Sequence, residues 1–409
     1  MADLRNAASE SPLPPPRPAQ DCHFHILGDE GVLFCEGQQE LHALNTTAAF
    51  IWLCLEEGKD EAVIAADLAE TFSATLEETA PAVRDVLEDW RNQGLLAGYE
   101  SRRSPLTRPP GDDWSSLEAP EAGEPYLRRR YRMLDTALTV VYGSEEQEEW
   151  VHPILEHLQS DAPASHEYEC SIAQTSKGLF VLSGREVAHW SPRLGGLGPG
   201  VKATLMRLAL NDHDYLFQIH AGVLERGGEC LLLPAIAGSG KTTLTAALMQ
   251  EGWRYLSDET APIGSKNLRV RPVVLSLGVK PGSWPLLRPY FPNIDGLRVH
   301  DRDDGKQVRY LPPAGFRVAP DRDDGYPVRW ILFPAYQPGV KSELVPISKV
   351  ETLGRLLGEC LSLPRRLGKN DVASIVDWIS RVEGYALPNS NLEEAVKLVG
   401  EMAAGTAAR

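Results

Sequence analysis

The sequence has no apolar run that approaches the roughly 18 uninterrupted residues a membrane span needs. It has no Cys-x-x-Cys pair, and its six cysteines are too scattered for a disulfide scaffold. Near the start, acidic residues and prolines stand where a secretory signal would carry a basic flank and an apolar segment. We therefore expect a soluble, cytoplasmic protein with no membrane partner, whose thiols are small buried hydrophobic groups in a reducing environment.

Basic residues are scarce in one segment, and this scarcity argues against nucleic acid as a partner. The net charge of the whole chain is −16. Residues 21–100 include 17 acidic and three basic residues, so this segment alone carries −14. Proteins that bind DNA concentrate Lys and Arg against the phosphates, whereas this segment would repel a phosphate backbone and attract a basic partner.

Composition and apolar periodicity divide the chain into several units. The apolar and charged fractions, 43% and 24%, are typical of globular domains that bury a core. No internal repeat is present. We predict, in order, a disordered tail (1–20), a small domain (21–100), a linker rich in Pro, Gly, Ser and Arg (101–123), a subdomain (124–210) and a larger α/β domain (211–409).

In the small domain, short β-like runs precede helical spacing of the apolar residues. Turn-forming residues separate three predicted strands, at 22–27, 31–35 and 40–45. Apolar residues spaced by three and four then predict three helices, around 48–55, 63–68 and 83–90. Because Pro81 would break a helix that began at Leu76, we place the start of the third helix near Thr79.

Two local patterns mark helix boundaries in the remainder of the chain. The Gly-rich run from Gly195 to Gly200 predicts a loop, and apolar spacing predicts that a helix follows at 201–210. Further on, Ser348 and Glu351 have the spacing of a capping box. We therefore expect a helix to begin after Ser348.

The strongest motif is the sequence A-I-A-G-S-G-K-T from Ala235 to Thr242, which follows an apolar strand and precedes a helical segment. Small residues let backbone N–H groups approach phosphate oxygens, and the helix N-terminus adds its positive dipole. The alternative is a chance Gly-rich turn, which the strand and helix on either side argue against. The predicted nucleotide-binding residues are Gly238, Ser239, Gly240, Lys241, Thr242 and Thr243.

One helix beyond this loop, Asp258 and Glu259 follow a predicted strand at 254–257. This spacing resembles the HPr kinase/phosphorylase family, in which the strand after the phosphate-loop helix ends in catalytic acidic residues. The resemblance extends to Ile219-His220 and to segments 276–284 and 309–313, and covers residues 124–400 approximately. It implies an α/β phosphate-loop kinase fold for residues 124–409. Ala237 and Glu259 replace a serine and an aspartate of the family, which bears on phosphorylase activity more than on kinase activity.

The resemblance implies phosphoryl transfer from ATP to a hydroxyl, usually that of serine. Asp258 would accept the hydroxyl proton, and Lys241 would contact the β and γ phosphates. Thr242 and Glu259 are the expected Mg²⁺ ligands. His220 is a third catalytic candidate beside Asp258 and Lys241, although a histidine at this position also fits a structural role in the core.

Two groups of basic residues are ambiguous. Lys280 lies in a predicted loop and could contact phosphate, but a solvent-exposed lysine is the simpler interpretation. Four arginines at 128–132 form a basic run that fits an ordinary surface.

The order of three strands and three helices in residues 21–100 resembles the PqqD-like recognition element of peptide-modifying enzymes, a winged helix-turn-helix fold. The segment from Leu44 to Ala49, with Trp52 one turn later, carries this resemblance most clearly. It implies that a precursor-peptide leader binds as an added strand in a groove along residues 40–45 and 83–90. The alternative is a small regulatory or dimerisation domain with no peptide ligand.

Three functions are compatible with these motifs. The first is an ATP-dependent kinase that binds a ribosomally synthesised precursor peptide by its leader and phosphorylates a Ser or Thr on it. The second is a kinase of a small-molecule hydroxyl, and the third is a non-catalytic, nucleotide-dependent peptide chaperone. Lys241, Thr242 and Asp258 favour an enzyme over the third. The sequence leaves the oligomeric state, including a homo-oligomer, open.

Overall fold

We describe the protein from a computed structural model, which covers residues 16–99, 114, 117–121, 123–236, 238–313 and 318–407. Most of the predicted tail and linker, and Ala237, lie outside these residues. The fold is mixed α/β with several sheets. It divides into two compact units, residues 1–108 with 366–380, and residues 109–365 with 381–409.

The first unit contains a three-stranded antiparallel sheet in the order β1-β2-β3, followed by three helices. The predicted order of strands and helices is therefore confirmed. The elements are β1 (Cys22–Leu27), β2 (Glu30–Cys35), β3 (Glu40–Leu44), α1 (Thr46–Glu56), α2 (Glu61–Phe72) and α3 (Leu76–Gln93).

The third helix begins at Leu76, so the predicted start near Thr79 is wrong. Thr75 and Glu78 form a capping box, in which the Glu78 carboxylate accepts from the Thr75 N–H at 2.9 Å. Pro81 is accommodated inside the helix, at the cost of one backbone donor. The Thr79 hydroxyl packs inward and donates to the Ala65 carbonyl at 2.8 Å, which joins α3 to α2.

The prediction that all six cysteines are thiols is also wrong, because Cys22 and Cys35 form a disulfide. The two residues face each other at the ends of β1 and β2, with their Cα atoms 4.2 Å apart. Strand pairing, which the scattered spacing of the cysteines does not reveal, brings them together. Cys54, Cys170 and Cys230 are buried thiols, as expected.

Residues 366–380 group with the first unit and not with the predicted larger domain. The connection runs through the β2–β3 turn. The Gln39 side-chain amide donates to the Leu367 carbonyl at 2.9 Å and accepts from the Leu367 N–H at 2.8 Å. Arg366 donates to the carbonyls of Glu36 and Gly37.

The second unit opens with a five-stranded sheet in the order β4-β5-β6-β7-β8, packed against two helices. The elements are β4 (Leu127–Met133), β5 (Thr136–Tyr142), α4 (Glu145–Leu155), β6 (His166–Thr175), β7 (Gly178–Ser183), β8 (Glu186–Ser191) and α5 (Leu197–Asn211).

Helix α5 begins at Leu197, so the loop predicted for Gly195 to Gly200 is wrong over its last four residues. Its glycines are there for packing. A Cβ on Gly200 would lie 2.0 Å from His189, and one on Gly198 would lie 2.6 Å from His300. Close approach of side chains to this helix therefore explains the glycines better than backbone freedom does.

Apart from the helix at residues 369–381, which lies almost wholly in the first unit, the remaining elements belong to the second unit. They are β9 (Phe217–Ile219), β10 (Ala221–Arg226), β11 (Glu229–Pro234), α6 (Lys241–Gln250), β12 (Arg254–Ser257), β13 (Ala261–Ile263), β14 (Leu277–Val279), α7 (Trp284–Leu287), β15 (Val299–Asp301), β16 (Gln307–Leu311), β17 (Val328–Tyr336), β18 (Val345–Pro346), α8 (Lys349–Gly358), β19 (Cys360–Ser362), α9 (Lys369–Arg381), β20 (Glu383–Asn389) and α10 (Leu392–Ala407). As predicted, the Ser348 hydroxyl caps α8 by accepting from the Glu351 N–H at 3.1 Å.

The six-stranded sheet has the order β12-β10-β11-β17-β20-β18. Strands β11, β17 and β20 are parallel, and β10 is antiparallel to both β11 and β12. The carboxyl ends of β11, β12, β17 and β20 therefore share one edge with the start of β10. Smaller sheets, β13-β9-β19 and β14-β16-β15, lie in the same unit. Among the described residues, no helix is long and apolar enough to cross a membrane.

Candidate functional site

A cavity of about 490 Å³ lies in the second unit where the strand ends of the central sheet converge. Its lining includes the phosphate-loop residues after β11 and the acidic pair after β12. His220, Tyr336 and Asn389, which adjoin the corresponding ends of β10, β17 and β20, also line it. In open α/β sheets this edge is the usual ligand-binding position.

The predicted phosphate loop has the backbone that its sequence requires. Gly238 and Gly240 have φ angles of 96° and 89°, which favour glycine. Gly240 precedes α6 without a side-chain cap, so the N–H groups of the first turn point out of the helix towards the loop. The Ser239 hydroxyl oxygen is buried without a hydrogen-bond partner in the described part of the chain. A buried polar atom without a partner suits an incoming ligand.

Lys241 and Thr242 both contact Asp258, which is 2% exposed. The Lys241 ammonium lies 3.1 Å from Asp258 Oδ1 and also donates to the Asp258 carbonyl. The Thr242 hydroxyl donates to Oδ2 at 2.7 Å. Both carboxylate oxygens therefore have partners that belong to the phosphate loop.

The position of α6 depends on a close approach to β10. A Cβ on Gly222 would lie 2.4 Å from the hydroxyl of Thr245, which is fully buried. That hydroxyl donates to the Lys241 carbonyl at 2.9 Å. The glycine thus allows the first turn of α6 to lie directly against the strand that leads from His220.

Glu259 is held by a lysine from a distant helix. The Lys202 ammonium, which is 5% exposed, lies 2.7 Å from Glu259 Oε1 and 4.9 Å from the Tyr310 ring centre. Burial by itself raises the pKa of the Glu259 carboxyl, but Lys202 and Lys241 outweigh it and lower that pKa to about 2. Glu259 is therefore an anion across the physiological range.

His220 lies at the same edge of the sheet. Its Nδ1 is 2.9 Å from the Glu259 carbonyl oxygen, which requires a proton on Nδ1. Its backbone N–H donates to the Glu359 carbonyl at 2.9 Å. These contacts orient the ring and account for a structural role as well as they do for a catalytic one.

The residues present fit a triphosphate with magnesium. The loop offers N–H groups at a helix N-terminus, a buried hydroxyl without a partner and a buried lysine, which suit phosphate oxygens. Among the described residues, no group of three or more His, Cys, Asp or Glu side chains is placed to hold a metal ion. Mg²⁺ in nucleotide sites usually takes one or two protein ligands and completes its shell with phosphates and water, so Thr242 and an adjacent carboxylate suffice.

The predicted site residues lie together around this cavity: His220, Gly238, Ser239, Gly240, Lys241, Thr242, Thr243, Asp258 and Glu259. Lys202 is not among the predicted site residues, although its place on an apolar helix stripe with Leu205 and Ala209 is a signal in the sequence. Tyr336 and Asn389 carried no local signal, because only the sheet order brings them to this edge.

The other candidate site is the β3 edge of the first unit. Among the described residues, β3 pairs with β2 alone, so its outer edge has backbone groups available for another strand. Val83, Leu87 and Trp90 of α3 share a core cluster with Leu44 of β3. The Gln38 side chain donates to the Gln93 carbonyl at 3.1 Å and joins the turn before β3 to the end of α3.

The acidic charge of residues 21–100 is not cancelled within that segment. Lys59 pairs with Glu57 and Asp67, and Arg84 pairs with Glu61. Three basic residues cannot balance 17 acidic ones between residues 21 and 100. The surface is therefore complementary to a basic partner.

Residues 30–96 match the family described as coenzyme PQQ synthesis protein D (PqqD). This segment is a PqqD domain. Among solved structures, one similar chain belongs to "TbiB1 in Complex with the TbiA(beta) Leader Peptide", with 26% identity over 21% of this chain and 99% of that chain, and a TM-score of 0.20. No curated protein matches the chain. The PqqD match agrees with the resemblance of residues 21–100 and does not extend to the second unit.

Proposed function

We propose that this protein is an ATP-dependent kinase that binds a ribosomally synthesised precursor peptide by its leader and phosphorylates a Ser or Thr hydroxyl on it. The observation that carries the kinase assignment is Asp258, a buried carboxylate in contact with both Lys241 and Thr242. An acid so close to the phosphate loop is suited to act on the group that attacks the phosphate.

The loop would hold the nucleotide. Backbone N–H groups around Gly238 to Gly240 would bind the phosphates, and Lys241 would contact the β and γ phosphates. Thr242 and one acidic neighbour would hold Mg²⁺, which supplies charge neutralisation on the phosphates when bound. Glu259 is suited to this because its pKa of about 2 keeps it ionised.

Asp258 would orient the acceptor hydroxyl and take its proton. Its position at the end of β12 points the carboxylate into the cavity, and its 2% exposure limits competition from water. Contact between nucleotide and the two loop residues would release carboxylate oxygens from their present partners. Phosphoryl transfer relies mainly on positioning and charge, which this arrangement provides.

The PqqD domain would supply the peptide. A leader strand would add to the β3 edge, with backbone hydrogen bonds giving affinity and pockets between β3 and α3 giving selectivity. The acidic surface favours a leader with basic residues. Because both units belong to one chain, leader binding raises the effective concentration of the core peptide at the kinase unit.

The direct test uses short peptides encoded beside this gene that contain basic residues and a Ser or Thr. Each is incubated with the protein, ATP and Mg²⁺ and examined by mass spectrometry. We expect one added phosphate, lost in Asp258→Asn and retained in the matched control Asp324→Asn, which changes an exposed acid paired with Arg269.

Other outcomes separate the alternatives. Peptide binding with no mass change, in the presence of bound nucleotide, would favour the chaperone. Phosphate transfer to a free hydroxyl compound but to none of the peptides would favour a small-molecule kinase.

A further inference from the structure

Lys280 does not behave as the solvent-exposed loop lysine that its sequence context suggests. It follows β14 directly, is half-buried and lines the same cavity as Lys241, Asp258 and Glu259. The side chain therefore belongs to the nucleotide cavity although its strand is part of a different sheet.

The turn that carries Lys280 is fixed to the phosphate-loop helix. The Ser283 hydroxyl lies 2.6 Å from the Thr243 hydroxyl of α6. The Ser283 N–H donates to the Lys280 carbonyl at 3.0 Å, and the Trp284 indole N–H donates to the Val279 carbonyl at 2.9 Å. These bonds set the Lys280 backbone at a constant position relative to the N-terminus of α6.

Lys280 also differs from the other cations of the cavity in its charge environment. Lys241 pairs with Asp258, and Arg302 pairs with Asp304. In the described part of the chain, no acidic group lies within ion-pair distance of the Lys280 ammonium. Burial lowers the pKa of Lys280, and Arg302 and Lys306 lower it further, whereas Asp304 opposes them with a smaller effect. A partly desolvated ammonium without an ion-pair partner is stabilised when an anion enters the cavity and binds it.

We propose that Lys280 is a catalytic residue that contacts the phosphoryl group being transferred. This inference rests on the proposed kinase function. In the transfer, the bond between the γ phosphorus and the β–γ bridging oxygen breaks, and a bond from the acceptor hydroxyl oxygen to phosphorus forms. The hydroxyl proton passes to Asp258 and ADP leaves. Lys280 stays protonated and donates a hydrogen bond to a non-bridging oxygen of the moving group.

Nucleotide binding tests this role independently of turnover. Affinities for ADP and for the non-hydrolysable analogue AMP-PNP, each with Mg²⁺, are measured by calorimetry on the full chain. The preference is the ratio of the Kd for ADP to the Kd for AMP-PNP. We expect Lys280→Met to reduce this ratio about tenfold, which corresponds to the loss of one charged hydrogen bond. Lys280→Arg should retain most of it. The control Lys266→Met removes an exposed lysine that does not line the cavity and should leave the preference unchanged.

The outcomes are distinct. An unchanged nucleotide preference in a Lys280→Met protein with wild-type melting temperature overturns the proposal. If Lys280→Met raises only the KM of the peptide, the proposal is also overturned, and Lys280 contacts the acceptor peptide instead. If wild-type protein binds both nucleotides but transfers no phosphate, the proposed function fails. The preference for AMP-PNP over ADP still shows whether Lys280 contacts the γ phosphate. If wild-type protein binds neither nucleotide, both proposals fail.

Discussion

The Lys202 ammonium lies 2.7 Å from a Glu259 carboxylate oxygen, although 57 residues separate the two in sequence. Lys202 comes from α5, which packs on the five-stranded sheet, and Glu259 follows the edge strand of the six-stranded sheet. The pair therefore links the five-stranded sheet and the six-stranded sheet of the second unit at the cavity. It also gives Glu259 a fixed orientation and a permanent charge.

Replacing Lys202 by Met should destabilise the protein most at neutral pH. The wild-type Glu259 pKa is about 2, below its ordinary value of 4.5, so its contribution to the unfolding free energy is complete above pH 4.5 and is lost as the pH falls towards 2. Without Lys202, the half-buried carboxylate loses its nearest cation and its pKa rises. Urea unfolding at pH 7 should show a loss of about 3 kcal/mol.

This loss should shrink towards pH 4.5, because the variant then protonates Glu259 in the folded state. Adding Glu259→Gln to Lys202→Met should recover part of the stability, and a double-mutant cycle measures the coupling. A loss that is equal at both pH values, with no coupling, would contradict the assigned ion pair.

Gly222→Ala should displace the phosphate-loop helix. The added Cβ would lie 2.4 Å from the buried Thr245 hydroxyl, so α6 must shift or Thr245 must give up its bond to the Lys241 carbonyl. We expect a stability loss of about 1–3 kcal/mol and weaker nucleotide binding, measured by thermal unfolding and calorimetry.

Two further variants sharpen this prediction. Gly354→Ala, on α8 with no heavy atom within 4 Å of the added carbon, should be neutral or slightly stabilising. The double variant Gly222→Ala/Thr245→Ala removes the clashing oxygen and should recover nucleotide affinity relative to Gly222→Ala. If the double variant does not recover nucleotide affinity, the clash with the Thr245 hydroxyl is not the cause of the loss.

Local patterns predicted the parts of the site that local chemistry determines. The strand, Gly-rich loop and helix around Lys241 follow from turn geometry and helix-terminus charge, and Asp258 follows the next strand by spacing alone. Lys202, Tyr336 and Asn389 could not be placed, because their positions depend on which strands pair. Pro81 and the glycines of α5 were misread for a related reason. A capping box and close helix packing outweigh the local preferences of proline and glycine.

The β2–β3 turn should depend on Gln39 for two separate reasons. Its side chain exchanges two hydrogen bonds with the Leu367 backbone, and its φ angle of 58° is strained for a residue with a Cβ. Gln39→Ala loses the bonds and keeps the strain, so we expect a loss of about 1–2 kcal/mol in the first unit. Gln39→Gly loses the same bonds but relieves the strain, and should be less destabilising by several tenths to about 1 kcal/mol. Hydrogen exchange of the 366–380 amides checks both, and a Gly variant less stable than the Ala variant would contradict this account.

Charge on α3 should control affinity for a basic leader. Glu88 is exposed within the predicted groove segment 83–90, whereas Glu70 is exposed on α2 outside it. For a precursor peptide that passes the phosphorylation test, Glu88→Lys should weaken binding about threefold to tenfold at low salt, because an attraction becomes a repulsion within one Debye length. The matched control Glu70→Lys makes the same change in net charge outside the predicted groove. It therefore separates the effect of the position of the charge from the effect of the total charge. Fluorescence anisotropy of the labelled leader, at low and high salt, provides the measurement.

Equal weakening by both variants would mean that the acidic unit attracts the leader only through its overall field. In that case the groove along β3 and α3 would not be the docking site.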